Sequence, residues 1–106
     1  MNEQKHITMQ MWADAGSFEK VANPGDSVDE EIVEQFRNSV PPMFNGRTYM
    51  QAGEPVAHVF SKELKLYAPV YTTFLYDENE GLWRYIGDCF RHEKIPPEEK
   101  KSSLLY

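Results

Sequence analysis

The sequence predicts an α+β fold: one main helix packed on a small antiparallel sheet of three to five strands. Three observations carry this expectation. Residues 25–42, GDSVDEEIVEQFRNSVPP, have the punctuation of a short amphipathic helix. The chain after Pro42 has the texture of short strands separated by turn residues. A length of 106 residues with 41% hydrophobic and 13% aromatic residues suits one domain with one core and argues against disorder of the whole chain.

In chain order, residues 5–12, KHITMQMW, alternate, with Ile7, Met9 and Met11 on one side and His6, Thr8 and Gln10 on the other. This favours a strand, with a short helix as its rival. Residues 13–26 carry Gly16, Asn23-Pro24 and Gly25 and are expected to be mostly loop. A helix follows over 28–39: Ser27 can cap it, and Glu30 completes a capping-box pattern. Val28, Ile32, Val33, Phe36 and Val40 form its apolar stripe, and Pro41-Pro42 ends it. Asn45-Gly46 marks a turn, and residues 47–52 form a short strand. Gly53, Glu54 and Pro55 reverse the chain into a strand over 56–60, and Gln51 and His58 can hydrogen-bond across that turn. Residues 61–65 form a polar loop. The clearest strands are 70–76 and 82–88, rich in β-branched and aromatic residues and joined by DENEG at 77–81. Both carry apolar groups on each face, so this hairpin is expected at the centre of the sheet. The chain is read as a single domain, 1–106, with a flexible tail over 94–106.

The net charge is −6, and residues 14–34 hold seven acids against one base, Lys20, which accounts for all of it. No basic stripe is present, so direct nucleic-acid binding is disfavoured while a basic protein partner suits the charge. Asp26, Asp29, Glu30, Glu31 and Glu34 are the candidate partner-binding residues, with Asp77, Glu78 and Glu80 as a second cluster. The bland reading of both is solvated surface. Cys89 is the only cysteine, which excludes an internal disulfide and fits a reducing compartment. No apolar run approaches a membrane span, and the first residues do not have the form of a secretory signal, so a cytoplasmic location is expected.

Catalytic patterns are weak. Cys89 and His92 lie three apart, with His58, His6 and Glu54 as further candidates, but a second closely spaced ligand pair is missing. Cys89 with His58, oriented by Asp88 or Glu54, would make a thiolate pair, yet no oxyanion loop surrounds it. No phosphate loop or dinucleotide fingerprint occurs. No enzyme activity, metal or cofactor is therefore expected. The late aromatics Tyr67, Tyr71, Phe74, Tyr76, Trp83, Tyr85 and Phe90 are read as core and cross-strand packing, and secondly as a protein-binding face.

The blocks GDSVDEEIVEQFRNSVPP, QAGEPVAHV and WRYIGDCFRHE, together with small size and acidity, resemble the small accessory proteins carried by phages and mobile elements of gut bacteria. That resemblance implies context only: some proteins of that kind inhibit host defence, as anti-CRISPR and antirestriction proteins do. Taken with the acidic charge pattern, it leads to the expectation of a non-enzymatic inhibitor that occupies the basic nucleic-acid-binding surface of a host effector such as a CRISPR nuclease. It assigns no role to any single residue. Two alternatives stand beside it: a regulatory or structural module that forms a homodimer through sheet aromatics, and a metal- or thiol-dependent protein built on Cys89, His58 and His92.

Overall fold

The computed structural model describes residues 5–39, 42–45 and 48–91. Among them, β1 (His6–Ile7), α1 (Met9–Ala15), α2 (Phe18–Val21), β2 (Ser27–Val28) and α3 (Glu30–Ser39) precede β3 (Pro42–Asn45), β4 (Tyr49–Ala52), β5 (Ala57–Ser61), β6 (Leu66–Asp77) and β7 (Leu82–Phe90). The strands form one sheet in the order β1-β2-β7-β6-β4-β3, with β5 also paired to β6. Pairing is antiparallel except between β1 and β2. The mixed α+β class is as expected, but among the described residues the sheet has seven strands rather than three to five. The additions are β2, whose two residues are too short for any periodic signal, and β3.

Thr8 decides the N-terminal segment. Its side chain accepts from the amide of Met11, its backbone is extended, and α1 begins at the next residue. The alternation through 5–12 is therefore strand only at His6 and Ile7, and the rival helix takes over from Met9. Gly16, at φ 82°, closes α1 and donates its amide to Trp12 O. The expected loop over 13–26 contains α2, a single turn whose one buried residue, Phe18, is too isolated to make a pattern.

The main helix starts two residues later than expected, at Glu30. Ser27 and Val28 are held as β2 between β1 and β7, so Ser27 does not cap and no capping box forms. Instead Ile32 N donates to Asp29 O at the helix start. Val28, Ile32 and Val33 are buried as expected, and Phe36 packs against them. Val40 lies outside the described residues, as do the Asn45-Gly46 turn beyond Asn45, His92 and the tail 94–106.

Five rings from five elements, α1, α2, α3, β6 and β7, meet on one side of the sheet. Phe18 stands edge-on to Tyr85, Phe36 and Phe74, with centroids 5.0, 5.4 and 5.6 Å away. Trp12 stacks on Phe36 at 5.1 Å. Such pairs contribute roughly 0.5–1.5 kcal/mol each beyond their buried area. Ile7, Val28, Met50, Trp83 and Ala22 complete the core.

The β6–β7 hairpin is central, as expected. Asp77 Oδ1 accepts from Asn79 N and Glu80 N at 3.0 and 3.2 Å, and Gly81 N donates to Asp77 O at 2.7 Å. A bulge opposite Thr73 and Phe74 shifts the register around Ile86. There Gly87 adopts φ +106° with Pro24 packed against it.

One turn is corrected. Gly53, Glu54 and Pro55 do not reverse the chain. Gln51 pairs with Thr73 and Ala57 with Val70, so β4 and β5 run in the same direction along one edge of β6. The residues between them loop outward where β6 crosses with only Tyr71 and Thr72. Gln51 does not meet His58: its buried amide donates to Thr73 Oγ1 at 3.0 Å and to Phe90 O at 3.1 Å, while His58 is exposed. Consequently β5 and the start of β6 form an arm, closed by a turn at 62–65, at the end of the sheet remote from the β6–β7 turn.

Candidate functional site

The acidic residues expected to act together fall into three groups. Asp26 is not at the surface: it is only 3% exposed. Its Oδ1 accepts from Lys5 N and its Oδ2 from Asn23 N, both at 2.9 Å, while Asp26 O accepts from Tyr85 N. The carboxylate ties Lys5 to the 23–26 turn, the Asp26 carbonyl adds β7, and the residue is structural.

Asp29 is partly occupied. Its Oδ1 lies 2.6 Å from His6 Nε2, and His6 Nδ1 lies 2.7 Å from Ser27 Oγ. The tautomer with Nε2–H facing Asp29 leaves Nδ1 to accept the Ser27 hydroxyl. These are the residue types of a hydrolytic triad. However, Ser27 is buried between β1 and β7, and the amides beside it are engaged, Ser27 N with Lys5 O and Asp29 N with Ile7 O. With Oγ shielded and these two amides engaged, the relay works as a clasp that holds β1 to the start of α3. Sequence reasoning missed it because its members are two and more than twenty residues apart.

Glu30, Glu31 and Glu34 do share an exposed face. They project from the first half of α3, opposite the buried Ile32 and Val33. Glu34 accepts from Arg37 Nη1 at 2.9 Å, and the Arg37 guanidinium also lies over the Trp83 ring at 6.0 Å. Among the described residues, Glu30 and Glu31 have no ion pair. Acids at a helix start also interact favourably with its dipole.

The second cluster is partly neutralised. Arg84 donates from Nε to Asp77 at 3.1 Å, from Nη2 to Glu80 at 3.0 Å and from Nη1 to Gly25 O at 3.0 Å. The hydrogen bond from Arg84 holds the Asp77 carboxyl below its ordinary range, with the turn amides helping. Glu78 is exposed. By strand alternation Asp77 and Arg84 lie on the face opposite Phe74 and Trp83, whereas α3 covers the Phe74 side through Phe36. The two acidic clusters therefore do not form one surface.

The aromatics divide. Phe74, Trp83 and Tyr85 are core, and Tyr76 stands edge-on to Trp83 at 5.3 Å. Tyr67 is 70% exposed and touches only one ring, Phe60, at 5.5 Å among the described residues. Burial first, then the Tyr85 hydroxyl's 2.7 Å hydrogen bond to Asp88, push the Tyr85 phenol far up. Burial and the Asp88 charge push Glu19 up as well.

Cys89 is half-buried, with Sγ 3.8 Å from Gly87 O. It pairs with Tyr71 on one side of β6, whereas His58 pairs with Pro69 on the other, so β6 separates thiol from imidazole. Among the described residues no three His, Cys, Asp or Glu side chains are grouped to hold a metal. A shallow depression of about 300 Å³ between α1 and α3 is lined by Met9, Trp12, Ala13, Gly16 and Gln35, which supply no nucleophile or charge. Among the described residues no helix is long and apolar enough to cross a membrane. No family model matches the chain, and no curated protein or solved structure is significantly similar to it.

Proposed function

We propose that this protein acts by binding another protein, without chemistry of its own, and that the face of α3 bearing Glu30, Glu31 and Glu34 seats on a basic surface of a nucleic-acid-binding host effector. The anti-CRISPR or antirestriction role expected from the sequence resemblance and the charge pattern is the form this reading takes. The observation that carries it is the placement of three exposed carboxylates on a helix whose opposite face is anchored by fully buried Ile32 and Val33. A rigid, predominantly acidic surface, with Arg37 paired to Glu34, raises the encounter rate with an oppositely charged groove and makes binding salt-sensitive. Asp29 borders this face, and Asp26 drops out of it. Asp77, Glu78 and Glu80 belong to a separate contact if they take part.

The test is affinity capture from host cells at low and high salt, identification of the captured protein, and titration of that protein with wild type and with Glu30→Lys, Glu31→Lys, Glu34→Lys combined. The expected result is capture of a nucleic-acid-binding protein at low salt and a loss of about tenfold or more in affinity on charge reversal, with the variant still folded by circular dichroism. Equal affinity of the folded triple variant refutes the reading.

A further inference from the structure

The arm formed by β5 and the beginning of β6 is the most exposed apolar part of the described molecule. Leu64 is 60% exposed, Phe60 and Leu66 50%, and Val59 45%, beside Tyr67. They lie on both faces of the arm: Val59 and Leu66 share one face, and Phe60 and Tyr67 the other. Among the described residues β5 pairs only with β6, so its outer backbone edge has no strand partner. Sheet edges are ordinarily protected by charge, proline or a bulge. β5 reads Ala-His-Val-Phe-Ser, with no lysine, arginine, acid or proline, and its five residues pair with β6 in unbroken register.

We infer that β5 is the seam of a homodimer, in which the β5 edges of two copies pair antiparallel about a two-fold axis near Val59. The strand suits its own copy. With the axis at Val59, that residue meets Val59 of the second copy, Phe60 meets His58, and Ala57 meets Ser61, so both faces continue across the seam without opposing two charges. The exposed apolar side chains of each arm amount to several hundred Å², the scale of the ~800 Å² per partner that a standard interface buries.

Charge favours a second copy here although the chain as a whole is acidic. The turn of the arm carries Lys62 and Lys65 against Glu63. The axis residue Val59 lies opposite Ala68, and the acidic turn at 77–80 begins nine residues further along β6, about 30 Å away at ~3.3 Å per residue and more than three Debye lengths at physiological salt. Self-repulsion is therefore weakest where the apolar surface is greatest. This seam is independent of the α3 face, and a dimer would present that acidic face twice.

Sedimentation equilibrium of the full chain at low and high salt tests this inference. Wild type is expected to dimerise at micromolar concentrations, with no weakening at high salt, as an apolar strand seam requires. Val59→Lys puts two like charges together on the axis and is expected to weaken association by about tenfold or more; the site is half exposed, so the monomer should fold with an unchanged circular dichroism spectrum. Phe60→Asp provides the same test on the other face. The Glu30, Glu31, Glu34 reversal should leave the dimer intact, which separates failure here from failure of the partner-binding reading. A wild type that stays monomeric into the hundreds of micromolar, or folded Val59→Lys and Phe60→Asp variants that dimerise like wild type, overturns the inference.

Discussion

Removing the Asp26 carboxylate should destabilise the fold strongly while sparing the acidic surface. Asp26→Ala deletes two hydrogen bonds, from Lys5 N and Asn23 N, both 2.9 Å long and both accepted by a carboxylate that is 3% exposed. Bonds to charged groups contribute about 1.5–3 kcal/mol each, and because both amides lie in exposed residues and can rehydrate, the lower end applies, giving about 3 kcal/mol in total. Asp26→Asn keeps one acceptor oxygen but turns an amide donor toward one of the two N–H groups, so it should lose about half of that. In a domain of this size, 3 kcal/mol corresponds to a fall of about 12–15 °C in Tm. Urea unfolding followed by tryptophan fluorescence reads the change directly: the midpoint should drop with an unchanged slope, because the surface exposed on unfolding stays the same. Asp26 N→Asn23 O and Tyr85 N→Asp26 O are backbone bonds and survive either substitution. An Asp26→Ala protein within about 0.5 kcal/mol of wild type would refute the assignment of this carboxylate as a structural tie.

Two further outcomes follow from the sheet. The Tyr85 phenol is raised by burial and by donation to Asp88, so its contribution to stability is complete below the ordinary phenol pKa of 10 and is lost as pH rises above that value toward the folded one. Urea midpoints measured from neutral to strongly alkaline pH should fall more steeply for wild type than for Tyr85→Phe. Gly87→Ala forces a β-carbon onto φ +106° and should cost about 1–3 kcal/mol. The added carbon would lie 3.5 Å from Pro24 Cγ, an ordinary contact, so replacing Pro24 by Ala in the same chain should not restore the melting temperature; full restoration would show that crowding, not backbone strain, was responsible.

Much of the local structure was legible in order along the chain. The stripe of Val28, Ile32, Val33 and Phe36 marks the helix and its buried side, and the aromatic runs joined by DENEG mark the central hairpin, because both signals repeat at the period of the element that makes them. Glu30, Glu31 and Glu34 were readable as an exposed face for the same reason. The signals failed where one residue had two chemically sound uses. Ser27 fits a helix cap and also a strand position beside His6, and pairing on both sides by β1 and β7 prevails. Gly53, Glu54 and Pro55 suit a reversal or an outward loop, and continued pairing with β6 selects the loop.

Composition and periodicity were sufficient for the α+β class, for the core side of the main helix and for the central hairpin, since each depends on residues close together in sequence. The fate of Asp26, the His6–Ser27–Asp29 clasp, the separation of the two acidic clusters and the open edge of β5 depend on which distant segments meet. A carboxylate beside Asp29 and Glu30 looks like surface until Lys5 and Asn23 bring their amides to it, and a strand has an edge only when its neighbours in the sheet are known. Periodicity reports which side of an element is apolar; the order in which elements assemble determines what each side faces.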